Sequence, residues 1–210
     1  MFDARNFLRS RKALLVHFLT VMATPRHARQ FPDDIFTAAA GPGPISFSTI
    51  LPTDSALNAE GRVGLIVDIS QNSVVHGVGH EDIGSSKYGS LGQPPTQESC
   101  VDSIDSRFRS NEWQVSGYIS VGILIIEPIV VPSVATFAGS EIPTEENVTL
   151  HQVLNAFPEF RVFKIGGSGF LQFNRGTNEW NPVAYDDIIY PHRHRTLTVL
   201  RRGLCGLFFR

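Results

Sequence analysis

Cysteine is scarce in this 210-residue chain, which carries only Cys100 and Cys205. Two thiols so far apart exclude a disulfide scaffold, a four-thiolate zinc site and any CxxC redox motif, and leave at most one Cys100–Cys205 bridge. Long apolar runs are missing too: no stretch reaches the roughly 18 uncharged residues that a bilayer-spanning helix needs. Charge is sparse, at 18% Asp, Glu, Lys and Arg, while 42% of the residues are hydrophobic and 15 are Phe, a composition that excludes a disordered chain and suits one sizeable core. There is no internal repeat, no GxSxG elbow and no HExxH helix. The run Gly166-Gly167-Ser168-Gly169 lacks the Lys-Ser/Thr ending of a phosphate-binding loop.

What is present first is an uneven distribution of charge. Residues 1–30 hold Arg5, Arg9, Arg11, Lys12, Arg26 and Arg29 against Asp3 alone. Residues 191–210 hold Arg193, Arg195, Arg201, Arg202 and Arg210 against no acid. Between them, residues 31–190 contain 7 basic and 19 acidic side chains. Two basic ends on an acidic body concern partners and assembly rather than fold. The ends either reach an external polyanion or dock on the body's own carboxylates.

The N-terminal segment admits three readings. A basic leader, the apolar run Ala13–Ala23 and the small-residue pattern Val21-Met22-Ala23 suit a secretory signal, with His17, Thr20 and Asp3 against it. Alternatively, Leu8, Leu15, Leu19 and Met22 share one stripe of an amphipathic helix and Arg5, Arg9 and Lys12 another. In the third reading translation starts at Met22. Localisation is then intracellular or virion-associated, or secreted if residues 1–23 are a leader.

Beyond the Pro/Gly linker ending at Pro44, punctuation by Pro and Gly every ten to fifteen residues and period-two alternation predict a β protein. Strands are expected at Ile45–Leu51, around Val63–Ile69, and from Trp113 to Ile126 with a bend or bulge near Gly117 or Gly122. A hairpin is expected over 161–174, turning on Gly166–Gly169, with last strands at Val183–Tyr190 and Thr196–Leu200. One body helix is expected from Thr144, with Leu150, Val153, Leu154 and Phe157 as its apolar face and Pro158 as its end, and residues 84–111 read as a long loop. The fold class is mainly β, an antiparallel sandwich of jelly-roll or Greek-key type with one short helix and an N-terminal amphipathic helix or arm. The organisation is a basic arm or leader over 1–44, a sandwich domain over 45–200 and a basic tail over 201–210.

The expected function is structural or binding: a β body whose basic termini contact an anionic partner such as RNA and which self-associates, with no cofactor. The candidate contacts are Arg5, Arg9, Arg11, Lys12, Arg26, Arg29, Arg193, Arg195, Arg201 and Arg202. In plan this is similar to small viral coat proteins, whose basic arms neutralise nucleic acid, a likeness of architecture that no motif carries residue by residue.

The rival is a small metal-dependent β enzyme. His76, His80, His192 and His194, with Glu81, supply imidazole and carboxylate donors, although two glycines separate the first pair and Arg193 and Arg195 set cations beside the second. A secreted binding module is the third reading, supported by the leader, a Cys100–Cys205 bridge and the acceptor pattern Asn147-Val148-Thr149, where Thr149 competes as a helix cap. The acidic pairs Asp33-Asp34, Glu145-Glu146 and Asp186-Asp187 have the chemistry for acid–base work but read by default as solvated carboxylates, and Asp186-Asp187, flanked by Tyr185 and Ile188-Ile189-Tyr190, as a strand-end turn.

Overall fold

A computed structural model describes residues 2–18, 45–54, 62–69, 73–79, 94–105, 112–167 and 169–190. In chain order these form α1 (Ala4–Arg11), β1 (Leu14–Phe18), β2 (Ile45–Ile50), β3 (Val63–Asp68), β4 (Val74–Gly79), α2 (Gln97–Asp105), β5 (Glu112–Ser116) and β6 (Ile119–Ile125). There follow β7 (Val130–Phe137), β8 (Ser140–Asn147), α3 (Leu150–Ala156), β9 (Val162–Gly166), β10 (Gly169–Asn174), β11 (Glu179–Val183) and α4 (Tyr185–Ile189). Nine strands make one sheet in the order β11-β10-β9-β6-β3-β1-β2-β5-β4, and β7 and β8 make a separate two-stranded ribbon. All neighbours in the large sheet are antiparallel except β6 and β9. The protein is therefore mainly β with a few helices. The described strands group into that sheet and the ribbon, and helices pack on the sheet.

Both faces of the sheet are apolar, so its central strands read as unbroken hydrophobic runs. Along β1, Leu15 joins one core cluster while Leu14, Val16 and Phe18 join the other, as alternation across a strand demands. The first face is covered by α1 through Ala4 and Leu8, α2 through Cys100 and Ile104, and α3 through Val153 and Phe157. The second carries α4, which inserts Ile188 and Ile189 beside Phe163, Phe170 and Leu124. No described helix is long and apolar enough to cross a membrane.

Several elements differ from expectation for identifiable reasons. The N-terminal helix does not run on to Met22. Lys12 adopts a left-handed conformation (φ 52°) that ends it, and Leu14–Phe18 becomes a strand between β2 and β3. The folded body thus begins ahead of the linker, and cleavage after Ala23 or a start at Met22 would remove a central strand. The stretch from Trp113 to Ile126 is two strands rather than one bent strand. A break at Gly117 (φ 71°) lets β5 pair with β2 and β4, and β6 with β3 and β9. The β3–β6 register then passes from Ile66↔Gly122 to Val67↔Ser120, so Val121 is the extra residue of a bulge. It turns to the second face, opposite to the face that holds Trp113, Val115, Ile123 and Ile125. Gly122 is required where β9 joins: a Cβ there would stand 2.8 Å from the Arg161 carbonyl oxygen.

The α3 face is the expected one, but its cap is Thr149. Its hydroxyl accepts from Gln152 N–H (3.2 Å) and the Gln152 amide accepts from Thr149 N–H (2.7 Å), a reciprocal capping box, while Thr144, Glu145 and Glu146 belong to β8. Within the expected loop lies α2, which Trp113 ties to the sheet by donating from Nε1 to Ser103 Oγ (2.9 Å). The expected strand from Val183 to Tyr190 is instead α4, because a short helix lets adjacent Ile188 and Ile189 both enter the core. The 161–174 hairpin forms as expected, with Gly167 at φ 61°. The Thr196–Leu200 strand lies outside the described residues.

Candidate polyanion-binding surface at the N-terminal helix

Asp3 starts α1 by accepting from Asn6 N–H (3.0 Å), and Ala4 and Leu8 turn its underside into the core. Its arginines then occupy two settings. Arg5 and Arg9 point at the body: Arg5 Nη2 meets Asp68 Oδ2 at 3.0 Å, and Arg9 Nε meets Asp186 Oδ1 at 3.2 Å. Their guanidinium carbons also lie 5.0 and 5.5 Å from the centre of the Tyr190 ring. Tyr185 completes the junction by donating its hydroxyl to the Ala13 carbonyl at 3.1 Å.

The electrostatics follow from burial. Desolvation raises the Asp68 carboxyl above its ordinary range, and the charge and hydrogen bond of Arg5 pull it back only in part. The Tyr185 phenol is raised, first by burial and then by Asp68 and its neighbours, so it stays protonated and keeps donating. Arg9 is exposed and its guanidinium is raised by the hydrogen bond to Asp186. Arg11 and Lys12 are exposed in the last turn and at the cap, Arg11 lying 5.8 Å over the Phe7 ring.

Of the ten candidate contacts, four are thus placed: Arg5 and Arg9 against carboxylates, Arg11 and Lys12 facing out. Arg26, Arg29, Arg193, Arg195, Arg201 and Arg202 lie outside the described residues. Tyr190, packed under Arg5 and Arg9, is the last described residue.

His76 stands in edge strand β4 with Nε2 2.8 Å from Ser116 Oγ, while His80, Glu81, His192 and His194 lie outside the described residues. Among the described residues no three His, Cys, Asp or Glu side chains are grouped to hold a metal ion. Cys100 is buried and free, and burial pushes its thiol up to about 12, far from a nucleophilic thiolate; Cys205 is outside. Of the acidic pairs, Asp186 and Asp187 form the first turn of α4 and Glu145 and Glu146 lie in β8, while Asp33 and Asp34 are outside.

A second concavity of about 600 Å³ opens between the α3–β9 connection and the β10–β11 hairpin, lined among others by Glu159, Arg161, Gln172, Arg175 and Asn181. Its arginines serve the backbone. Arg161 donates to the carbonyls of Asp187 (2.8 Å) and Ile188 (2.6 Å), and Arg175 to those of Leu154, Phe157 and Phe160 at 3.1, 2.7 and 3.2 Å. These satisfy carbonyls that the ends of α4 and α3 leave open. Sequence reasoning missed this use, as it missed the contacts that Tyr185 and Tyr190 make with α1 and the residue after its cap, because the partners are distant in the chain and no local pattern marks them. No family model matches the chain, and neither a curated protein nor a solved structure matches it.

Proposed function

We propose that this chain is a non-enzymatic structural or binding β protein, coat-like in plan, whose basic termini act together on an anionic partner, RNA being the first candidate. The supporting observation is the junction at Tyr190. Arg5 and Arg9 of the N-terminal helix pack on Tyr190, the same helix exposes Arg11 and Lys12, and the chain beyond Tyr190 supplies Arg193, Arg195, Arg201 and Arg202. A jelly-roll arrangement belongs to the same proposal, supported by the predominance of antiparallel neighbours in the nine-stranded sheet.

Arg5 and Arg9 already neutralise carboxylates, which leaves eight candidate phosphate contacts and a log–log salt slope no steeper than about −6 on single strands. Fluorescence anisotropy with a single-stranded RNA tests this on the full chain and on a chain ending at Tyr190. The expected result is salt-dependent binding that weakens strongly without the tail. No binding by the full chain at low salt would end the RNA reading.

A further inference from the structure

We propose that the β7–β8 ribbon is an assembly arm, which docks by its glutamate-bearing strand on the basic surface at α1 of a second copy of the chain. The ribbon is paired over eight positions, from Val130↔Asn147 to Phe137↔Ser140, and turns on Ala138 (φ 50°) and Gly139 (φ 79°). Eight residues of strand reach about 26 Å at about 3.3 Å per residue. Neither strand joins the nine-stranded sheet, and among the described elements the ribbon packs extensively only on itself. A lone two-stranded hairpin is marginal in water, and among the described residues neither edge of this one has a strand neighbour. The connection itself does not require it, because about a dozen residues can carry a chain between parallel strands such as β6 and β9.

Charge selects the occupant. Residues 127–160 contain five glutamates and no Lys or Arg, and three of the glutamates, Glu141, Glu145 and Glu146, lie on β8, opposite Thr136, Pro132 and Val131 in the register. The complementary surface is the end of α1, where Arg11 and Lys12 are both exposed. Arm and receptor are different patches of one molecule, so the contact is heterologous and builds rings or open chains rather than an isolated two-fold dimer. The contact goes beyond the RNA reading and stands without it.

Sedimentation velocity on nuclease-treated full chain, over a concentration series at about 50 and 500 mM salt, tests the proposal. Concentration-dependent association at low salt should weaken about tenfold or more at high salt, since facing surface charges are screened. The variant E141K/E145K/E146K and the variant R11E/K12E should each be monomeric at low salt. Mixed, they should associate, because the reversed arm now faces a reversed receptor, and that recovery also shows that both remain folded. Should the triple variant fail to melt cooperatively, E145K alone mixed with R11E/K12E carries the same test. A wild-type chain that stays monomeric at low salt, reversed variants that associate like wild type, or a mixture of folded variants that stays dissociated would each overturn the proposal. Because no RNA is present, its failure is separate from a failure of RNA binding.

Discussion

The two ends of α4 are held by arginines used in opposite ways. At its first turn the contact is charge against charge: Asp186 with exposed Arg9, and Tyr185 hydrogen-bonded to the residue that follows α1 and its cap. At its last turn half-buried Arg161 makes two short bonds to backbone carbonyls, with its guanidinium 5.0 Å over the Phe163 ring. Burial lowers Arg161 from its ordinary value, yet an arginine starting so high remains a cation. The difference teaches which cations are structural. A guanidinium that satisfies helix carbonyls in a half-buried setting cannot leave without orphaning them, whereas an exposed ion pair exchanges its partner for water at little loss.

The largest effect should therefore come from Arg161→Met, which leaves the α4 carbonyls without donors and should cost about 2–3 kcal/mol in urea unfolding. Lysine should recover only part of this, having a point charge in place of a planar fork. Next comes Arg5→Met, expected to cost about 1–2 kcal/mol after allowance for the exposure of Arg5, because Asp68 is left desolvated beside Tyr185. An Arg5→Met loss equal to that of Arg161→Met would erase the distinction.

pH sharpens the comparison in two separate windows. Asp68 is raised in the folded state, so the native form holds this proton more tightly. Its contribution is largest at acid pH, declines as pH rises above the ordinary value of 3.8, and is flat once the folded pKa is passed. Asp68→Asn should flatten that segment of the stability curve. His17 runs the other way. Burial lowers it despite the bond of its Nδ1 to the Ser46 carbonyl (2.8 Å), so stability is complete above 6.5 and is lost as pH falls below it. His17→Gln should remove that loss, measured as denaturation midpoint against pH. The smallest effect belongs to Arg9→Met, whose melting temperature should match wild type in both low and high salt, since the Arg9–Asp186 pair is exposed.

Local connectivity decided which parts of this architecture could be read from residues alone. The β9–β10 hairpin was legible because glycines mark a turn between adjacent strands. The apolar face of α3 was legible by its spacing, but Thr144-Glu145-Glu146 imitates a helix start that pairing with β7 overrides. Neither α2, with few apolar residues, nor α4, with its β-branched isoleucines, shows its state locally. The place of β1 at the middle of the sheet depends on Lys12 taking a positive φ that lysine does not advertise. At the candidate site, the basic residues were countable, but their division was not: Arg5 and Arg9 find partners 63 and 177 positions away.

That division is what the account rests on, and the salt dependence of RNA binding measures it. Truncating residues 1–30 would remove β1, so substitutions within the intact fold are needed. Arg11→Ala with Lys12→Ala should flatten the log–log salt slope by about 1.4, at about 0.7 for each lost phosphate contact. Arg5→Met should leave the slope of the folded protein unchanged. An equal flattening per residue by Arg5→Met, or none by the Arg11 and Lys12 pair, would contradict the division of the basic helix into structural and binding cations.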